Sequence, residues 1–165
     1  MKKLFACLLA AVFALSLASV SLAETADAFT SSSTNSYYGD YGLTGDELME
    51  ALNSFSGFYV ITTVNPDGSP NAAYFVYACI KNEDKYYVQL SLAENQTRQN
   101  LLANGKAVGV YAVTPSGEAG RELYAVSGAR MELTLVTDED LLAVLDPSGA
   151  GTSLYCEITS CRSLG

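Results

Sequence analysis

The run Asn95-Gln-Thr-Arg-Gln-Asn100 packs amides, a hydroxyl and a guanidinium into one short stretch, just where Leu101-Leu-Ala-Asn-Gly marks the body and end of a helix. Free N–H groups at the start of a helix attract anions, and a guanidinium adds charge-assisted hydrogen bonds, so this run has the chemistry of a phosphate site. The same residues also read as a plain cap, with Asn95 or Thr97 satisfying the helix and Arg98 in solvent. Other cations within reach in sequence are Lys106, Arg121 and Arg130. The chain has no histidine. Neither a Ser/His/Asp nor a Cys/His nucleophile can therefore be built, and zinc sites of Cys/His type fall on the same ground. If the protein performs redox catalysis, the chemistry must come from a bound cofactor that the chain positions.

The elements that would hold this run are mostly strands. Alternating and β-branched segments predict strands near 58–64, 71–80, 85–91, 107–113, 122–135 and 153–160, with short helices around 96–103 and 138–144. Turns at Pro66-Asp-Gly and Asn82-Glu-Asp join antiparallel neighbours, the pattern of a closed or partly closed barrel. Asp138-Glu-Asp supplies acids to the first turn of the latter helix, where the dipole favours them. A further helix starts at Thr44, with Glu47 completing a capping box, an apolar face of Leu48, Leu52 and Phe55 beside Met49, and Gly57 as its stop.

Taken in order, Tyr59-Val-Ile-Thr-Thr-Val, Asn65-Pro-Asp-Gly-Ser-Pro70, Asn71-Ala-Ala-Tyr-Phe-Val-Tyr, Lys85-Tyr-Tyr-Val-Gln-Leu-Ser, Asn95-Gln-Thr-Arg-Gln-Asn-Leu and Ala107-Val-Gly-Val-Tyr-Ala-Val resemble the flavin-binding split-barrel family. That family includes pyridoxamine-phosphate oxidases and small bacterial FMN-binding proteins. The resemblance implies a mainly β split barrel with short helices, FMN as cofactor, an oxidoreductase or electron-carrier role with a small-molecule or protein redox partner, and a homodimer with its site at the interface. In the oxidases the loop resembles Ser-Arg-Lys; here Gln96 and Thr97 stand where those cations would be and Arg98 comes one position later. Thr97 and Asn100 match the looser loop of the small FMN-binding proteins. Asn71, Ala72, Ala73 and Tyr74 match the strand that lies against the flavin ring, where small side chains let a planar ligand approach. Gln89 and Ser91 match positions of ring or phosphate contact, although they also read as the outward half of an alternating strand. The C-terminal segment, Leu154 to Gly165, has one Arg and no His, which disfavours vitamin B6 oxidation and haem handling through an axial His. A split-barrel binding module that holds a deazaflavin, another ligand or no flavin is the alternative.

At the N-terminus, Lys2 and Lys3 precede an apolar run from Leu4 to Val20 and the small-residue pattern Ser21-Leu22-Ala23. This reads as a secretory signal peptide over 1–23, cleaved near Ala23, and the run is short for a stable membrane anchor. Residues 24–44, rich in Ser, Thr, Asn, Gly and Tyr, read as a flexible linker, leaving 45–165 as the split-barrel domain. Loss of Lys2 and Lys3 would move the net charge from −9 to −11, and so acidic a chain repels a nucleic-acid backbone. Among Cys79, Cys156 and Cys161, a bond from Cys79 to one of the others is favoured over one between Cys156 and Cys161, and a fully reduced set is equally open.

Overall fold

The computed structural model describes residues 41–114 and 126–164. Seven antiparallel strands form one sheet: β1 (Phe58–Val64), β2 (Pro70–Tyr74), β3 (Ala78–Asn82), β4 (Lys85–Leu90), β5 (Lys106–Val113), β6 (Ser127–Leu135) and β7 (Leu154–Arg162), in the order β2-β1-β5-β6-β7-β4-β3. Three short helices accompany them among the described residues: α1 (Gly45–Asn53), α2 (Gln96–Asn104) and α3 (Glu139–Leu145). None is long and apolar enough to cross a membrane.

The sheet must curl. β2 and β3 are its two edges, yet Phe75, Val76 and Tyr77 alone separate them in sequence. A flat sheet of this order would set its edges roughly 29 Å apart, whereas the connecting residues reach about 14 Å. The strands therefore roll into a barrel left open along the β2/β3 seam. This break divides the strand expected over 71–80 in two, because Tyr77 turns inward at the seam, where its ring meets Tyr59 edge-on at 5.1 Å and its hydroxyl donates to the Val110 carbonyl.

Inside the barrel lie alternate residues of each strand: Tyr59, Ile61 and Thr63 of β1, Val88 and Leu90 of β4, Tyr111 of β5, Ala129, Met131 and Leu133 of β6. Helix α1 closes one end with Leu48 and Leu52. Two buried tyrosines satisfy its last carbonyls, Tyr59 Oη donating to Leu52 O (2.7 Å) and Tyr111 Oη to Ala51 O (3.1 Å). Asn53 exchanges two hydrogen bonds with the backbone of Cys79 and so covers the free edge of β3.

Three local expectations change here. Thr44 is the N-cap of α1 but makes no side-chain cap, because Gly45 follows in a left-handed conformation (φ 57°). The helix ends at Asn53, so Phe55 lies beyond it with φ 52°, exposed instead of on the buried face. Residues 42–44 do not behave as a free tether: Gly42 bridges Gly128, and Leu43 N donates to Gly128 O. Residue 128 must be glycine because of its close approach to β5, where a Cβ would lie 2.0 Å from Tyr111 O. The remaining linker, the segment 1–23 and the start of the strand expected over 122–135 lie outside the described residues.

All three described cysteines are free thiols. Cys79 and Cys156 both pair with Val88, so a whole strand separates them, about 10 Å from backbone to backbone, which is too far for a disulfide. Burial pushes the Cys79 thiol up to about 11 and Cys156 up to about 12, as expected of small hydrophobes in a core.

Candidate functional site

The phosphate-site run begins at a capped helix. Asn95 Oδ1 accepts from Arg98 N (3.0 Å), and Gln99 N donates to Asn95 O. The helix itself leaves the Gln96 and Thr97 N–H groups without intrahelical acceptors, and no acidic residue occupies this first turn. Gly105, with φ 69°, ends α2.

The buried face of α2 is tied to the β1–β2 hairpin by a polar network. Asn100 Nδ2 donates to Thr63 Oγ1 (3.0 Å) and to Asn65 Oδ1 (2.9 Å), while its Oδ1 accepts from Gln96 Nε2 (2.8 Å). Asn71 Nδ2 donates to Thr63 Oγ1 (3.1 Å) and to Thr97 Oγ1 (2.9 Å). Thr63, Thr97 and Asn100 are the buried polar residues of the described core, at 4%, 2% and 1% exposure. Their groups are engaged within the protein, so they fix how α2 sits on β1 and β2. The hairpin turn is held in its own right: Asp67 Oδ1 accepts from Ser69 Oγ and N, which keeps the Asp67 carboxyl below its ordinary range.

Arg98 is the exception to this bonding. Its Nε pairs with Glu94 Oε1 at 3.1 Å, and the side chain is only 16% exposed. Its Nη1 is buried and has no hydrogen-bond partner. A buried guanidinium nitrogen without an acceptor is rare and costly, and it marks a place where an anion would be welcome.

Gln89 and Ser91 belong to a second polar group. Gln89 Nε2 donates to Tyr155 Oη (3.1 Å) and more weakly to Ser153 Oγ (3.4 Å); Ser91 and Ser153 share a hydroxyl bond of 3.0 Å. Both Ser153 and Tyr155 line a cleft of about 480 Å³ under α3. Its apolar wall includes Leu102, Leu135, Leu142 and Leu154. Leu102 lies four residues after Arg98, so the two share one stripe of α2.

β2 divides the other expected contacts. Asn71 and Ala73 alternate with the exposed Ala72 and Tyr74, so these four side chains address two faces. Among the described residues β2 pairs only with β1, so a ligand along its other edge would meet backbone groups first. Of the other cations, Arg130 donates to Ser163 O, Lys106 is exposed at the start of β5, and Arg121 lies outside the described residues.

The structure thus gathers Asn71, Gln96, Thr97 and Asn100 into one network and Gln89 with Ser91 into another. Thr63, Asn65, Ser153 and Tyr155 escaped the sequence reading. Thr63 had a signal: it is a polar residue on the inward parity of β1. Ser153 and Tyr155 had none, because their partners are more than sixty residues away.

No protein-family model matches the sequence, and no curated protein matches it. Solved structures do. An FMN-binding protein from Syntrophomonas wolfei superposes with TM-score 0.52 at 14% identity, over 73% of this chain and 85% of that one. Flavoredoxin of Desulfovibrio vulgaris gives 0.43 at 13% identity, over 66% and 69%, and a haem storage protein from Vibrio cholerae gives 0.43 at 15%, over 70% and 87%. At these identities the likeness is one of fold: a mainly β split barrel like that of the Syntrophomonas wolfei protein.

Proposed function

We propose that this split barrel is an exported flavoprotein that binds FMN without a covalent bond and serves as an oxidoreductase or electron carrier. The observation that carries the reading is the unpartnered Nη1 of Arg98, a residue of the first turn of α2, where the Gln96 and Thr97 N–H groups have no intrahelical acceptor. A phosphate dianion supplies the acceptors these donors lack, and Arg98 can leave the exposed Glu94 for it, since exposed ion pairs are weak. Gln96 adds an amide at the same turn, while Asn71, Thr97 and Asn100 hold the turn in place. The small Ala73, on the face of β2 that it shares with Asn71, lets the planar ring approach the strand, with Gln89 and Ser91 as polar groups towards its edge. Bound FMN would supply the hydride or single-electron chemistry; the chain supplies position and a dry surface. A haem reading lacks an axial imidazole, because the sequence has no histidine. Fluorescence titration with FMN tests the assignment: saturable quenching supports it, and a flat titration defeats it.

In the same reading the protein is a homodimer. The outward rows of the sheet run Tyr74–Val60–Val110–Arg130 and Ala72–Thr62–Val108–Glu132 across β2, β1, β5 and β6. Phe58 extends this apolar face at 70% exposure and Tyr74 at 58%. A patch of this kind, ending in one cation and one anion, suits a two-fold contact in which each residue meets its counterpart's complement. Light scattering should give the mass of two mature chains at micromolar concentration with FMN present; the mass of one chain would refute the dimer.

Export rests on the basic, apolar and small-residue order of 1–23. The mature chain should begin close to Glu24 and be recovered outside the cytoplasm. N-terminal sequencing that finds intact Met1 on membrane-bound protein would overturn it.

A further inference from the structure

We propose that the cleft under α3 is a binding site for a small, uncharged and largely apolar carbonyl compound. The cleft has about 480 Å³, within the usual range for small-molecule sites. Leu102, Leu135 and Leu142 give it an apolar wall, and Thr137, Asp146, Ser153 and Tyr155 are its polar lining residues. Tyr155 Oη accepts from Gln89 Nε2 and so keeps its own hydrogen to give. Burial raises the Tyr155 phenol above its ordinary pKa, which keeps that hydrogen in place. The donor calls for an acceptor on the ligand, and a carbonyl oxygen is the neutral group that fits.

Charge selects against anions. Among the described residues no Lys or Arg lines the cleft, and Asp146 does. Its carboxylate is fixed there by Ser148 Oγ (2.5 Å) and Gly151 N (3.1 Å), bonds that hold it below the ordinary carboxylate range and therefore charged. A carboxylate on the ligand would face that charge with no cation on the cleft wall to offset it. The cleft adjoins the candidate flavin contacts through Gln89 and Ser91. The proposal thus rests on the flavoprotein reading for its redox meaning, though not for binding itself.

The test uses a matched pair of the same size, 1-acetonaphthone and 1-naphthoate, titrated into the mature protein and followed by amide NMR shifts around Ser153 and Tyr155. The ketone should bind at least about ten-fold more tightly than the carboxylate. Ala143→Trp, at an exposed position of α3 that lines the cleft, should abolish ketone binding while FMN titration of the same sample is unchanged. Tyr155→Phe should weaken the ketone about five-fold, one lost neutral hydrogen bond. Equal affinity for the two probes, no ketone binding, or binding indifferent to Ala143→Trp would each overturn the proposal. Ketone binding with a flat FMN titration would leave the cleft standing and remove the flavin reading instead.

Discussion

Replacing Arg98 by alanine is expected to weaken FMN about ten- to a hundred-fold and to leave riboflavin almost untouched, which is roughly 1.5–3 kcal/mol for a charge-assisted contact. The contrast between the two ligands isolates the phosphate. Arg98 is suited to it by position and by a donor that nothing else satisfies. The nearer cations in sequence offer little help, since Arg130 already donates to Ser163 O and Lys106 sits at the far end of α2, beyond Gly105. Thr97→Ala should cost FMN less, about 0.5–1.5 kcal/mol, because one neutral hydroxyl is lost. Fluorescence titration of wild type and both variants with each flavin makes the measurement. Equal FMN affinity for wild type and Arg98→Ala would place the phosphate elsewhere.

The largest stability loss is expected at Asn100. Its amide makes three hydrogen bonds at 1% exposure, and it alone joins Gln96, Thr63 and Asn65. Asn100→Leu keeps the branched shape of the side chain, removes all three bonds and leaves Asn65 Oδ1 and Gln96 Nε2 without this partner, while Thr63 Oγ1 keeps its bond from Asn71. Unsatisfied buried polar groups cost about 1–3 kcal/mol each, so a loss of roughly 3 kcal/mol or more is expected, with a thermal midpoint at least ~10 °C lower. Gln96→Ala removes only the outermost bond of the network and should cost less than about 1 kcal/mol. Urea denaturation of the three proteins gives the comparison. A near-neutral Asn100→Leu would mean that the network contributes nothing to holding α2 on the hairpin.

The sequence carried the strands well because their signal is local. β1 and β4 match their expected ranges to within a residue, and α2 starts where Asn95 caps it. What it could not carry depended on closure. The seam that cuts 71–80 at Tyr77 follows from rolling the sheet until its edges meet, and no local propensity encodes that. The same holds for the site. The polar richness of Asn95–Asn100 was visible, but which groups it spends internally was not, because Thr63, Asn65 and Asn71 reach it from the hairpin about thirty residues earlier. Arg98 was named for its charge; that its Nη1 would be left without an acceptor is a fact of packing. Ala72 and Ala73 were paired as neighbours in sequence, whereas strand alternation sends them to opposite faces.

The central claim, that this barrel is a flavoprotein, is met most directly by the visible spectrum of the mature chain after incubation with excess FMN and desalting. The account predicts two flavin absorbance bands that stay with the protein, at about one FMN per chain. A colourless protein that releases all of its FMN on desalting, and shows no quenching in titration, would contradict it.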